Sequence, residues 1–183
     1  MPAQSKVEFI WDEPKPLVVP SGALTFRAVD TPQASGLFAH AVRQCLAGSL
    51  DESDQQGLAT KGIDAVVRRY VWPNPVFSFD RMWWALAYNA ADELVGFTQP
   101  VIFRDGERDD GLQEGSIHYI GVLPAHRGKG YITPLLQHTT ATLQGVGVWR
   151  IYCDTDEHNA PMIAGFERAG YRRGKVRNVP LSA

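Results

Sequence analysis

The sequence lacks the features that mark several protein classes. Its 183 residues include only two cysteines, which are not spaced as C-x-x-C, and no apolar run approaches the roughly 20 residues that cross a bilayer. It shows neither a signal peptide at the start nor a lipidation motif. With 18 basic and 20 acidic residues, a net charge of -2 leaves no excess for coating nucleic acid or an anionic membrane. We therefore expect a cytoplasmic protein that binds neither nucleic acid nor membrane.

Metal and nucleophile signatures are missing as well. The five histidines have no ligand spacing with acids or cysteines, so we predict no metal site. Ser49 does not stand in a G-x-S-x-G setting, and nothing in the sequence marks Cys153 as a nucleophile. We therefore expect catalysis to use neither a metal ion nor a serine or cysteine nucleophile.

Hydrophobic patterning divides the chain into strands and helices. Residues 1–22 carry four prolines without a sustained period, so we predict an irregular arm there and a single domain over residues 23–183. The predicted order is a strand, two helices, antiparallel strands around a turn at 89–92, a strand at 116–122, and then helix, strand, helix and strand. The second half is a βαβ unit, which implies partly parallel pairing. The fold class is mixed α/β.

A basic, glycine-rich segment, HRGKGYITPLL at residues 126–136, precedes a predicted helix. A helix start leaves about four N–H groups unpaired and carries roughly half a positive charge. Gly128 and Gly130 would let the backbone approach a phosphate, while Arg127 and Lys129 add cationic donors. The spacing fits neither a P-loop nor a dinucleotide fingerprint. The segment indicates a phosphate or pyrophosphate site, although a plain surface turn has the same composition.

Two blocks of sequence resemble motifs of the GNAT superfamily of N-acetyltransferases. VLPAHRGKGYITPLL is similar to the family's V-x-P strand end followed by R/Q-x-x-G-x-G/A, and NAPMIAGFERAGYRR to its later N-x-x-x-x-x-x-Y-E-x-x-G-F/Y. The matching positions are Val122, Pro124, Arg127 and Gly130 in the first block and Asn159, Glu167, Gly170 and Tyr171 in the second. The two blocks also lie at the separation that the family would have.

The resemblance implies an acetyl-CoA-dependent N-acetyltransferase with a mostly antiparallel sheet, a central parallel pair of strands that splay apart, and flanking helices. It implies direct transfer, in a ternary complex, to a primary amine of a small molecule or peptide. Backbone N–H groups of residues 127–133 would hold the pyrophosphate, and strand residues 120–122 would meet the pantetheine arm and thioester. The implied cofactor contacts are Ile120, Gly121, Val122, Arg127, Gly128, Lys129, Gly130, Tyr131, Ile132, Thr133, Asn159 and Phe166.

The sequence departs from the family pattern at two places. Ile132 stands where the loop usually has its last glycine or alanine, and Pro134 follows it. We favour a helix from Tyr131; the alternative is an N-cap at Thr133. Phe166 occupies the position of a tyrosine that commonly protonates the leaving thiolate, and Tyr152 and Cys153 are unranked substitutes.

An amine acceptor is mostly protonated at pH 7 and must lose a proton before attack. His118 lies two residues before Ile120, so strand alternation predicts that both share a face, and its ordinary pKa near 6.5 suits a base. Glu114 is the second candidate, and Ser116 could relay a proton. Asn159 would bind a cofactor-linked group or serve as a helix N-cap.

Two further hypotheses remain open. A noncatalytic CoA-binding or regulatory module would keep the fold without the chemistry, and a nucleotide-binding protein would use the glycine loop for ATP. The acidic segment at 105–114 would attract a cationic amine or be solvated. The sequence does not identify the acceptor and leaves a homodimer open.

Overall fold

A computed structural model of the chain describes residues 3–12, 16, 18–106 and 113–180. The strands are β1 (Ala3–Trp11), β2 (Thr25–Ala28), β3 (Phe77–Ser78), β4 (Ala85–Tyr88), β5 (Leu94–Phe103), β6 (Glu114–Val122), β7 (Arg150–Asp156) and β8 (Arg172–Pro180). The helices are α1 (Pro32–Leu46), α2 (Glu52–Lys61), α3 (Ile63–Val71), α4 (Ile132–Gly145) and α5 (Ala160–Arg168). Short 3-10 turns cover Arg81–Trp83 and Pro124–His126.

All the strands join one sheet in the order β2, β4, β5, β6, β7, β1, β8, and β3 pairs with β5. Among the described residues only β6 and β7 pair in parallel; every other pair is antiparallel. The predicted fold class, a mixed and mostly antiparallel sheet with a central parallel pair and flanking helices, is therefore confirmed.

The first strand overturns part of the sequence interpretation. Ala3–Trp11 is not an irregular arm: it lies between β7 and β8 and pairs antiparallel with both. Its alternating side chains explain the placement, because Val7, Phe9 and Trp11 are buried in the core while Lys6 and Glu8 point to the other face. The prolines lie on either side of this strand and do not interrupt its ladder.

Helices cover the two faces of the sheet. On one, here called the α1–α3 face, Phe38, Val66 and Tyr70 form a buried cluster with Phe97 of the sheet. On the other, the α4–α5 face, residues of α4 and α5 pack with β1 and β7 in a second cluster. The two core clusters hold β6 between them, because Tyr119 packs in the first cluster and Ile117 and Ile120 pack in the second.

The single helix predicted over 51–70 is two helices. Asp51 is the N-cap of α2, as expected, and its side chain accepts a hydrogen bond from the N–H of Ser53. Gly62, with φ of 77°, ends α2 and starts α3. A positive φ is cheap only for glycine, so this residue sets the angle at which α3 crosses the sheet. In the described part of the chain, no helix is both long and apolar enough to cross a membrane.

Candidate functional site

The central parallel strands separate soon after they start. β6 and β7 pair only through Glu114 with Arg150 and Gly115 with Ile151, although β6 continues to Val122 and β7 to Asp156. β5 holds the far edge of β6, and β1 holds the far edge of β7. A cavity of about 1370 Å³ lies along the resulting gap. The cavity extends from the loop before α4 to the α1–α3 face of the sheet.

The loop before α4 is built around two glycines in the left-handed region. Gly128 and Gly130 have φ of 76° and 78°, and a Cβ placed on either would meet no atom within 4 Å. Tyr131 is the N-cap of α4, which begins at Ile132 and has no side-chain cap. The favoured helix start is thus confirmed to within one residue, and Thr133 is not the N-cap.

Unsatisfied donors make this loop suitable for an anion. Within the described residues, the backbone N–H groups of residues 128–132 donate to no acceptor. These N–H groups stand at the positive end of the α4 dipole, on an exposed loop. The space where Gly128 and Gly130 would carry a side chain is open. The pyrophosphate of CoA is the kind of group that such donors hold. The residues present therefore fit a CoA phosphate site.

The Arg127 side chain contacts the protein backbone, whereas the sequence predicted that it would contact a phosphate. Its guanidinium donates to three backbone carbonyls, those of Gly48 at 2.9 Å, Val122 at 3.3 Å and Cys45 at 3.4 Å. The side chain therefore ties the glycine loop to the end of α1 and to the end of β6. Lys129 and Thr133, which were predicted beside it as cofactor contacts, do not line the cavity.

The other predicted cofactor positions do line the cavity. They are Ile120, Gly121, Val122, Arg127, Gly128, Gly130, Tyr131, Ile132, Asn159 and Phe166. Gly121 is fixed by close packing, because a Cβ there would come within 2.8 Å of the Cys45 sulfur. Asn159 caps α5, where its side chain accepts from the N–H of Met162.

His118 sits at a β-bulge that changes its face. Tyr119 lies opposite Gln99 and Ile117 opposite Pro100, so His118 is an extra residue on β6. The bulge turns His118 and Tyr119 toward the same side, with ring centroids 5.6 Å and 4.0 Å from that of Tyr70. Ile120 packs instead on the α4–α5 face. The prediction that His118 and Ile120 share a face is therefore wrong, because the extra residue shifts the alternation.

The electrostatics of His118 also differ from expectation. Burial lowers the pKa of its imidazole to about 4. One ring nitrogen hydrogen-bonds to the backbone of Arg69, and Nε2 is buried without a partner among the described residues. At neutral pH the ring is uncharged and keeps a lone pair that nothing in the described structure engages. The ring lines the cavity.

Glu114 lies away from the cavity. Its carboxylate forms an ion pair with Arg150 at 3.0 Å, at the point where β6 and β7 are still paired. The residue is absent from the described lining of the cavity. Residues 107–112 of the neighbouring acidic segment fall outside the described part of the chain. Ser116 does line the cavity and is buried.

The position of the expected acid is part of the core. Phe166 is buried and stacks on Phe9, with ring centroids 4.6 Å apart. Of the two substitutes, the Tyr152 hydroxyl donates to Glu8 at 2.8 Å, and burial together with this bond raises its pKa. Burial raises the pKa of the Cys153 thiol to about 12. Both side chains line the cavity.

The sequence did not predict a buried hydrogen-bonded group formed by one carboxylate and two hydroxyls. Asp54, which is 1% exposed, accepts hydrogen bonds from the Tyr70 hydroxyl at 2.5 Å and from Ser49 at 2.7 Å. Burial raises the pKa of this carboxyl. All three residues line the cavity. From sequence, Asp54 is one more acid in the first turn of α2, and nothing in that pattern indicates that it is buried.

β1 also contributes to the cavity, through Gln4 and Lys6. Lys6 forms an ion pair with Asp51 at the start of α2. Gln4 is 5% exposed, and its Oε1 has no partner among the described residues. The alternation in KVEFIW was the signal for this strand, but the nearby prolines obscured it.

One group of potential metal ligands exists in the described chain. Glu52, Asp156 and His158 have ligand atoms within 4.8 Å of one another. The buried Asp156 already accepts hydrogen bonds from the N–H groups of Glu52 and His158. Histidine spacing in the sequence gives no sign of this group, because the strand β7 and the helix α2 bring it together.

Comparison with known proteins agrees with the fold. The model of the acetyltransferase (GNAT) family matches residues 59–171. No curated protein matches the sequence. A GCN5-related N-acetyltransferase from Sphaerobacter thermophilus has a TM-score of 0.59 at 17% identity, with 97% of this chain and 50% of that one covered. This chain spans about half the length of that protein.

Two other solved structures are covered almost completely. An aminoglycoside acetyltransferase from an uncultured soil metagenomic sample has a TM-score of 0.54 at 19% identity, with 87% of this chain and 99% of that one covered. AAC(6')-Iy, in complex with the bisubstrate analogue CoA-S-monomethyl-acetylneamine, has a TM-score of 0.52 at 14% identity, covering 81% and 90%. These likenesses show the fold, and the family match extends over more than half of the chain. The chain therefore belongs to the GNAT family of acetyltransferases.

Proposed function

We propose that the protein is an acetyl-CoA-dependent N-acetyltransferase that passes the acetyl group directly to a primary amine in a ternary complex. One observation carries the proposal: a single cavity is lined both by the glycine loop, with its unpaired N–H groups, and by His118 at the bulge of β6. Acetyl-CoA bound at the glycine loop would thus present its thioester to an amine bound near His118.

The glycine loop would hold the phosphates of CoA. The N–H groups of residues 128–132 are the donors, and the positive φ of Gly128 and Gly130 sets the curve of the backbone. Arg127 serves as a brace, because its three carbonyl contacts fix the loop against α1 and β6. Donors held in advance need no rearrangement when a phosphate arrives.

The strand end beyond the bulge would receive the thioester. Among the residues that the structure describes, none pairs with the β7-facing edge of β6 after Gly115, and Ile120 and Val122 lie on this stretch. A carbonyl attacked by an amine becomes an oxyanion, and a fixed backbone donor at its position removes on the order of 3 kcal/mol from the barrier. Main-chain groups of residues 120–122 are our candidates for this role.

His118 would accept the proton that the amine gives up. Burial keeps its pKa at about 4, so the ring is neutral throughout the physiological range and too weak a base to deprotonate a free ammonium. Its unpartnered Nε2 would take the proton only as the amine attacks the thioester, when that proton becomes acidic. The unpaired and buried Nε2 favours His118 over Glu114, whose carboxylate is paired with Arg150 outside the cavity.

The thiolate of CoA would leave without a proton from Tyr152 or Cys153. Both groups have raised pKa values, so neither gives a proton readily to a thiolate, whose conjugate acid has an ordinary pKa near 8.5. The same reasoning disfavours a covalent acetyl-enzyme. Burial raises the pKa of both Cys45 and Cys153 to about 12, which keeps them as unreactive thiols.

Calorimetry with acetyl-CoA, with ATP and desulfo-CoA as controls, tests the donor site, and thiol release across an amine panel tests turnover. We expect micromolar binding of acetyl-CoA and no comparable binding of ATP. His118→Ala should lower the maximal rate at least tenfold while leaving acetyl-CoA affinity nearly unchanged. An unchanged rate would remove His118 from the mechanism, and absence of acetyl-CoA binding would remove the function.

Phe166 favours a second candidate function. Its ring is stacked in the core at the position where the family motif usually has a tyrosine. A protein that binds CoA and regulates another process would tolerate this change without loss. Tight acetyl-CoA binding without thiol release from any amine would favour this noncatalytic candidate.

A further inference from the structure

The cavity has an aromatic side on the α1–α3 face. Five rings line it, those of Tyr70, Trp72, Phe77, Phe103 and Tyr119, and we call this set the aromatic wall. Tyr70 stacks on Tyr119 with centroids 4.0 Å apart, and Phe77 contacts Phe103 with centroids 5.1 Å apart. The wall thus runs from β6, in the middle of the sheet, to β3 and the end of α3 at its edge.

The outer part of the aromatic wall is open to solvent. Trp72 is 69% exposed, and Phe77 and Phe103 are half-buried. A soluble protein gains about 25 cal/mol for each Å² of apolar surface that it removes from water, so exposed rings at the mouth of a cavity indicate a ligand that covers them. Flat rings favour a flat or apolar group by stacking as well as by burial.

Carboxylates on the same side are already engaged. Asp51 is paired with Lys6, Asp54 accepts from Tyr70 and Ser49, and Asp154 contacts Arg177 at 3.3 Å. These are the carboxylates that line the described cavity. An acceptor with several ammonium groups would need free acids to replace its hydration, and the described lining offers none.

The unpaired Nε2 of His118 lies among the rings. The imidazole centroid is 5.3 Å from that of Phe77 and 5.6 Å from that of Tyr70. A neutral nitrogen acceptor set into an aromatic wall matches a molecule with one amine and one apolar body. The amine would meet Nε2, and the body would lie along Phe77 and Trp72.

We propose that the acceptor is a monoamine carried on an aromatic or similarly flat apolar group, an inference that rests on the proposed function. In the transfer the amine nitrogen forms a bond to the acetyl carbonyl carbon, and the carbon–sulfur bond breaks. The sulfur leaves with the bonding electron pair as the CoA thiolate. One amine proton passes to Nε2 of His118 and then to solvent or the thiolate, so the products are the acetamide and CoA.

Steady-state thiol release with 2-phenylethylamine and with glucosamine, at saturating acetyl-CoA, tests the proposal. We expect kcat/KM to be at least tenfold higher for 2-phenylethylamine, because burial of a phenyl group contributes more than this factor in an apolar site. Phe77→Ala should raise KM for 2-phenylethylamine at least tenfold. Phe26→Ala is the matched control, since Phe26 stacks on His138 and does not line the cavity. Equal kcat/KM for the two amines would overturn the proposal.

A binding experiment separates this proposal from the function on which it rests. Calorimetry would titrate 2-phenylethylamine and glucosamine into the protein saturated with CoA, where no turnover is needed. Preferential binding of 2-phenylethylamine, lost in Phe77→Ala, would support the aromatic acceptor even if no amine released thiol. Failure of acetyl-CoA to bind would refute the proposed function, whereas acetyl-CoA binding with equal affinity for both amines would refute the acceptor class alone.

Discussion

The two ends of the cavity are built on different principles. At the glycine loop the groups that we propose to bind phosphate are backbone N–H donors on an exposed turn, and the side chain of Arg127 ties this turn to three backbone carbonyls. At the aromatic wall the proposed functional groups are side chains from the end of α3 and from β3, β5 and β6, and two of them, Tyr70 and Phe77, contact His118. A backbone site depends on a few consecutive residues, whereas a side-chain site depends on the whole packing of one face.

Both sides should be sensitive to pH, because burial lowers to about 4 the pKa of His118 on the aromatic side and of His138 on α4. His118 has an ordinary pKa of 6.5 when unfolded and about 4 in the fold, so between these values the unfolded state binds more protons. The contribution of His118 to the free energy of unfolding should therefore fall as the pH falls from 6.5 to 4, at up to about 1.4 kcal/mol per pH unit and about 3 kcal/mol in total.

Urea unfolding at several pH values measures this slope, and His118→Gln should reduce it and leave the part that His138 contributes. His40→Gln, at an exposed histidine of α1, is the matched control. A variant His118→Gln that loses stability in acid as steeply as the natural protein would contradict the assignment.

Removing one tyrosine hydroxyl on each face of the sheet compares the hydrogen-bond networks of the two faces. Tyr70→Phe leaves Oδ1 of the buried Asp54 without its donor and should cost about 1–3 kcal/mol of unfolding free energy. Tyr171→Phe, beneath α4, should cost less, because its partner Thr140 keeps a hydrogen bond to the carbonyl of Leu136. Thermal or urea unfolding measures both, and equal costs would show that the buried carboxylate is not the sensitive element.

A substitution in the glycine loop should instead change the affinity for acetyl-CoA. Gly130→Asp places a carboxylate and a Cβ where we expect phosphate, so acetyl-CoA should bind at least tenfold more weakly, about 1.4 kcal/mol. Gly147→Asp is the control, since Gly147 also has a positive φ, of 88°, and open space around it but lies in the turn after α4. Calorimetry checks both variants, and an unchanged affinity in Gly130→Asp would place the phosphates elsewhere.

The same contrast explains what could be predicted from sequence. The loop before α4, the N-caps at Asp51 and Asn159 and the order of elements after residue 84 are local, and their residues stand side by side in the chain. The face of His118 could not be predicted, because a single extra residue on β6 reverses the alternation and only its pairing with β5 reveals it.

Long-range features were the other failures. The neighbours of Asp54 come from the α1–α2 loop and from α3, so its burial is a property of the assembled face and has no local signature. The helical pattern of 51–70 concealed the break at Gly62, because a glycine in a helical pattern lowers propensity without fixing a φ. The prolines near β1 outweighed its clear alternation, although none of them interrupts the strand.

The placement of β1 bears on how the molecule is made. β1 pairs with β7 and β8, which are synthesised after all the other strands of this sheet, so Lys6 meets Asp156 and Arg177 only when those two strands have left the ribosome. Contacts so distant along the chain slow folding, and until they form, the edges of β7 and β8 can recruit other chains. During synthesis the sheet would therefore stay incomplete, with unpaired strand edges, until β8 has emerged.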